Sequence, residues 1–237
     1  MKIKRFFMLF ASLSLCVCML NAEQPAEQNQ APADEKNILF AEEVYGTFLM
    51  HYFETKDSRI TDITVAYFNT QNEIKESMHT LLIGFYCELF KDSILKEAIL
   101  EGIASLEKDS ITDFFYRIAA LDYEQVCNQA PVLPDTNDMY WASYFASGDE
   151  KYLDYIFQAA LRFQDDLSTP ELFLTGQTAL WSLASNARQF DSVRTYIDSK
   201  RSVHKKTADY ILYTDPEDIK TAIIRIIASQ REKGLWP

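Results

Sequence analysis

Three histidines and a large set of carboxylates are the groups from which this chain could assemble acid–base or metal chemistry. His51, His79 and His204 do not fall into HExxH or any other pairing at metal-ligand spacing. His51 sits among Phe48, Tyr52 and Phe53, which reads as a structural histidine. The 35 acidic residues make paired carboxylates abundant, and each conspicuous pair has a local explanation. Glu42-Glu43 falls in the first turns of the first helix, where acids stabilise the positive end of the dipole, and Asp165-Asp166 precedes a cap. A glycosidase-like pair would need two carboxyls converging across a cleft. The sequence contains no GxSxG or phosphate loop, so neither a nucleophilic hydrolase nor nucleotide chemistry is expected, and no cofactor or metal is implied.

The cysteines separate by position. Cys16 and Cys18 lie in the N-terminal apolar run, while Cys87 and Cys127 stand 40 residues apart in segments with a helical pattern. An oxidising compartment would permit a bridge, but two cysteines do not make a disulfide framework in a chain of this size, so both read as core residues, and no CxxC suggests zinc or redox chemistry.

What remains for recognition is aromatic and amide. Tyr140, Trp141, Tyr144 and Phe145, together with Trp181, either line a concave groove or fill the seam between helices. Because Trp141, Tyr144 and Phe145 share one helical face, packing is the expected use. Tyr140, Trp141, Trp181 and Asn186 are the candidate binding residues; the structural alternative for Asn186 is bracing the turn before Phe190.

The elements holding these residues are legible from period. Met78, Leu81, Leu82, Phe85 and Leu89 follow i, i+3, i+4, i+7, as do Leu153, Ile156, Phe157, Ala160 and Leu161, and again Ile219, Ala222, Ile223, Ile226 and Ile227. Each set predicts one helix with one buried stripe. Asp215-Pro216 and Thr169-Pro170 predict helix starts, Ser168 with Glu171 offers an alternative capping box, and Asp109-Ser110 predicts a third start. Gly148 is expected to close one helix in a left-handed conformation while Asp149 caps the next. Ile60 to Val65 alternates like a strand but has no partner, so helix or loop is expected there. Gln129 to Asn137, with two prolines, is read as a surface loop between two helical halves.

Trp141 to Ile156 and Trp181 to Ile197 echo one another at a spacing of 40 residues, each running from a tryptophan on one helix through a turn into a second helix. The expectation is an all-α fold of about 8–10 helices in stacked hairpins, α-solenoid or TPR-like. The segments 138–149, 181–187 and 83–90 resemble short motifs of a family of exported bacterial all-helical proteins. That resemblance implies export and helical structure and brings no activity with it.

The N-terminus supplies the compartment. Lys2, Lys4 and Arg5 precede an apolar run from Phe6 to Leu20 and then a polar stretch, the order of a secretory signal, with cleavage expected after Ala22. The run is shorter than the roughly 20 residues needed to span a bilayer. The alternative is a membrane-anchored lipoprotein acylated at Cys16 or Cys18. Residues 23–36 carry no large apolar side chain and are expected to be a disordered leader; residues 37–237 are expected to form a single helical domain. Removing residues 1–22 takes away three of the 23 basic groups and none of the 35 acidic ones, moving the formal net charge from −12 to −15. That sign opposes binding to nucleic acid and anionic lipid. The function expected is a non-enzymatic interaction module of the periplasm or secreted fraction, with a protein partner in the envelope. The alternative is an envelope hydrolase acting on peptidoglycan or peptide.

Overall fold

The structure, a computed structural model, describes residues 33–237. The secretory signal, the acylation alternative at Cys16 and Cys18 and most of the leader lie outside the described residues. Within them the chain forms twelve α-helices and no strand: α1 (Ala33–Thr55), α2 (Ile60–Thr70), α3 (His79–Leu89), α4 (Ser93–Ala104), α5 (Asp109–Ala119), α6 (Tyr123–Gln129), α7 (Pro134–Ser147), α8 (Lys151–Phe163), α9 (Pro170–Asn186), α10 (Asp191–Ser199), α11 (Arg201–Tyr213) and α12 (Pro216–Glu232). The all-helical expectation holds. Twelve helices exceed the 8–10 expected because several breaks carry no proline or glycine. Lys200 alone separates α10 from α11, and α11 itself kinks at His204, whose φ and ψ are non-helical.

Local signals placed most boundaries. Thr169 accepts from the Leu172 amide and Asp215 from the Glu217 amide, each just before a proline in the first turn. Gly148 has φ +79, the left-handed closing position expected of it, but α8 is entered through Glu150 with no side-chain cap. Asp109 opens α5 as its first residue rather than as its cap. The strand-like Ile60–Val65 stretch is the start of helix α2, which buries Ile60, Thr64, Tyr67 and Phe68 at i, i+4, i+7 and i+8. The proline-marked loop is shorter than expected because α7 already starts at Pro134.

The described chain divides into two compact units. One comprises Pro131–Tyr140 and Glu150–Pro237, and the other runs from the described start through Ala130 and includes Trp141–Asp149.

The unit holding α1 to α6 is built around rings. Tyr45 stacks on Tyr67 at 3.9 Å between centroids, and Phe115 packs edge-on against both Phe68 and Tyr86. Three buried hydroxyls share this core. Thr64 donates to the Ile60 carbonyl at 2.6 Å, which spends its one hydrogen; Tyr86 therefore donates to Thr64 at 2.8 Å, and Tyr45 donates to Tyr86 at 2.5 Å. Burial holds both phenols above their ordinary pKa and so keeps them donors. Lysines distant in sequence then close the exposed ends of helices. Lys108 donates to the carbonyls of Phe68, Asn69 and Gln71 at the end of α2, Lys96 to Ala119 at the end of α5, and Lys56 to Ala146 and Ser147 at the end of α7. Each cation meets both the orphan carbonyls and the negative pole of a helix.

In the other unit α9 is the axis. Every residue from Phe173 to Asn186 is buried, so α9 is enclosed on all sides rather than along one stripe. α8, α11 and α12 pack against it, and α10 joins α8 where Tyr196 donates to Asp154 at 2.6 Å. After α12 the chain turns back to set Trp236 against Phe173, 5.3 Å between centroids. α8 keeps the stripe read from period, burying Leu153, Ile156, Phe157 and Ala160. The packing of successive helices is consistent with stacked hairpins.

Candidate functional site

Two of the four candidate binding residues are on α9. Trp181 and Asn186 are each 1% exposed, and their indole Nε1 and amide Oδ1 have no hydrogen-bond partner. The backbone carbonyl of Asn186 accepts from the amides of Gln189 and Phe190, both at 2.9 Å, so the turn before Phe190 is braced by main chain rather than by the side chain. Tyr140 belongs to the same unit as α9. Its half-buried ring lies 4.8 Å from that of Tyr155 and 6.3 Å from that of Tyr152. Trp141 belongs to the other unit, 4% exposed, stacked on Phe145 and edge-on to Tyr144. Phe53 of α1 meets both Tyr144 and Phe145 there. These are the contacts of packed rings, the use the sequence favoured.

The polar character of the α9 unit has a second component at the start of α7. Asn137, 2% exposed, donates its amide to the Thr175 carbonyl at 2.9 Å and to the Thr178 hydroxyl at 3.3 Å. Beside it Asp138 is 7% exposed, and burial pushes its carboxyl well above the usual carboxylate range, with the charge of Asp135 one turn earlier adding to the rise. Half-burial raises Asp135 as well. Two neighbouring acids with raised pKa are the electrostatic signature of a catalytic pair. Their geometry is different, since i and i+3 on one helix leave both carboxyls on a single wall, whereas glycoside hydrolysis needs them on opposite sides of the bond.

The pair has a consequence for stability. The pKa of Asp138 in the folded state lies above the unfolded value of about 3.9. Its contribution is therefore complete below that value, where the carboxyl is protonated in both states, and is lost as pH rises through the folded pKa. Relative to an Asp138→Asn variant, the native chain is expected to lose stability between mildly acid and neutral pH. Urea denaturation of both proteins across that range measures it; a difference that does not change with pH would contradict the assignment.

Two open surface features lie on α3 to α6. One cleft of about 340 Å³ is walled by α4 and α5, with Leu100 and Tyr116 forming its apolar wall and Glu97 and Glu101 its acidic edge. A neighbouring cavity of about 310 Å³ shares Lys96 with it and is lined by Cys87, Phe90, Ile118, Leu121 and Tyr123. On and beside these helices Ile94, Tyr116 and Leu121 are 78%, 52% and 42% exposed. Both lysines at the rim are already engaged, Lys91 with Glu88 at 2.6 Å and Lys96 with the Ala119 carbonyl. Lys96 keeps its charge against a neutral carbonyl, and in the cleft between α4 and α5 Glu97 and Glu101 outnumber it. Sequence reading passed over these residues. The signal was Ile94 and Leu121 standing off the buried stripes of their segments.

Of the three histidines, His51 engages Glu54 at 3.0 Å, while His79 and His204 pack on Phe114 and Phe157. Among the described residues no three His, Cys, Asp or Glu side chains gather as a metal site would require, and no helix is long and apolar enough to cross a membrane. No protein-family model, curated protein or solved structure matches the chain.

Proposed function

We propose that this chain is an exported, non-enzymatic helical module of the bacterial cell envelope, a solenoid-like stack of hairpins that binds a partner protein. One observation carries the reading: Leu100 and the exposed Tyr116 line an open cleft with acidic edges, beside a cavity lined by the exposed Leu121. Exposed apolar residues gathered beside a concave surface and rimmed by charge mark protein interaction sites. The acidic rim and the overall negative charge select a partner segment that is apolar and basic, and they disfavour nucleic acid. Placement in the periplasm or the secreted fraction rests on the N-terminal signal, with membrane anchoring as the outcome if Cys16 or Cys18 is acylated.

A double substitution, Ile94→Asp with Tyr116→Asp, is expected to abolish partner capture from envelope extract. Both side chains are largely outside the core, so the variant is expected to keep its helical circular dichroism and melting midpoint. Equal capture by the variant and the native protein would place the interaction elsewhere. The Asp135–Asp138 pair is the specific observation favouring the hydrolase alternative, and the same preparation decides it: solubilisation of cell-wall material that is lost in Asp138→Asn, with no partner retained, would replace the binding reading.

A further inference from the structure

We propose that Cys87 and Cys127 form an intramolecular disulfide tying α3 to α6, made by exchange with a disulfide donor. Neither thiol is in a disulfide. Ser143 donates its hydroxyl to the Gly84 carbonyl of α3 at 3.2 Å and accepts from the Tyr123 hydroxyl of α6, so one side chain links the two helices. Cys87 lies one turn beyond Gly84 and Cys127 one turn beyond Tyr123. Cys127 is within hydrogen-bonding reach of the Tyr123 hydroxyl, and its charge acts on both Tyr123 and Cys87. Cys87 and Tyr123 also line the 310 Å³ cavity, which gives a donor access to the buried side of the pair.

The two thiols differ in the way sequential exchange requires. Cys87 is 5% exposed with its Sγ against the Ile118 carbonyl at 3.6 Å, and burial pushes its pKa up to about 12. Cys127 is only half-buried. Attack therefore begins at Cys127. Its thiolate displaces one sulfur of the donor and forms a mixed disulfide. Cys87 then gives up its proton and attacks the Cys127 sulfur, expelling the donor's second sulfur. One S–S bond forms in this chain, one breaks in the donor, and the two thiol protons end on the reduced donor. The bridge closes a 40-residue separation, long enough to restrict the unfolded chain substantially.

The test uses the full chain incubated with excess oxidised glutathione, then alkylated under denaturing conditions, digested and mapped by mass spectrometry. The expected product is one linked peptide joining Cys87 to Cys127, lighter by two hydrogens than its separate halves. The melting midpoint is expected to rise by roughly 5–15 °C, to fall again with dithiothreitol and to stay unchanged in Cys127→Ser. Because Cys87→Ser places a hydroxyl in the core, Cys127→Ser is the informative control. Full alkylation of both cysteines, glutathione retained on Cys127, or Cys127 linked to Cys16 or Cys18 would each overturn the proposal.

Discussion

Gly176→Ala is expected to be strongly destabilising although it adds a single methyl. A Cβ at this position would stand 2.2 Å from the Gln164 nitrogen, 2.2 Å from the Phe163 carbonyl carbon and 2.6 Å from its oxygen. All three are backbone atoms at the end of α8, so no rotamer change relieves the overlap. The two helices must separate, which also pulls Gln177 from the Gln164 carbonyl it reaches at 2.6 Å. Alanine is favoured over glycine inside a helix by about 1 kcal/mol, and that gain is outweighed. A net loss of about 3–5 kcal/mol is expected, read as a fall in melting midpoint of roughly 10–20 °C. Gly102→Ala serves as the comparison. There the new methyl meets the Val65 Cγ2 at 2.5 Å, a side-chain atom, so repacking can absorb it and the loss should stay near or below about 1 kcal/mol. Equal losses at the two glycines would refute the claim that backbone contact sets the cost.

The second large effect concerns Trp181, where size and polarity pull apart. Trp181→Ala empties a site enclosed on all sides and should cost about 3–5 kcal/mol. Trp181→Phe removes part of the ring but also removes an indole N–H that is buried without a partner. An unsatisfied buried donor costs about 1–3 kcal/mol, so its loss offsets much of the missing volume, and the net change should be under about 2 kcal/mol. Chemical denaturation of the two variants measures the difference. A Phe variant as unstable as the Ala variant would mean that the N–H is satisfied in solution. The pair also separates packing from recognition. If Trp181 serves a ligand, the Phe variant loses binding while keeping its fold; if it serves the core, partner capture survives in Phe and fails only with the fold in Ala.

How much of this was legible in the sequence depended on how far apart the interacting residues stand. Helix identity and most helix starts are set within one or two turns, and there the reading was direct: the stripe of α8, the Thr169 and Asp215 caps and the Gly148 closure are all local. The kink at His204 and the Lys200 junction escaped because no proline or glycine announces them. α9 escaped in a different way. Its thirteen-residue stretch from Leu174 to Asn186 includes Thr175, Gln177, Thr178, Ser182, Ser185 and Asn186, a composition that reads as a half-exposed helix. Neighbouring helices bury all of it, so its hydroxyls and amides must find carbonyls inside the fold.

Composition and period therefore determined that this chain is helical and acidic, because helix formation and net charge are local or additive properties. They could nominate Tyr140, Trp141, Trp181 and Asn186 but not say which are exposed, since burial depends on what packs against each residue from elsewhere in the chain. Only the tertiary structure decided that Asp135 and Asp138 share a raised pKa, that Lys56, Lys96 and Lys108 close the ends of other helices, and that Cys127 acts on the buried Cys87. Desolvation and capping by distant cations are set by residues up to 91 positions apart, a separation at which the order of residues along the chain carries no distance information until the helices pack.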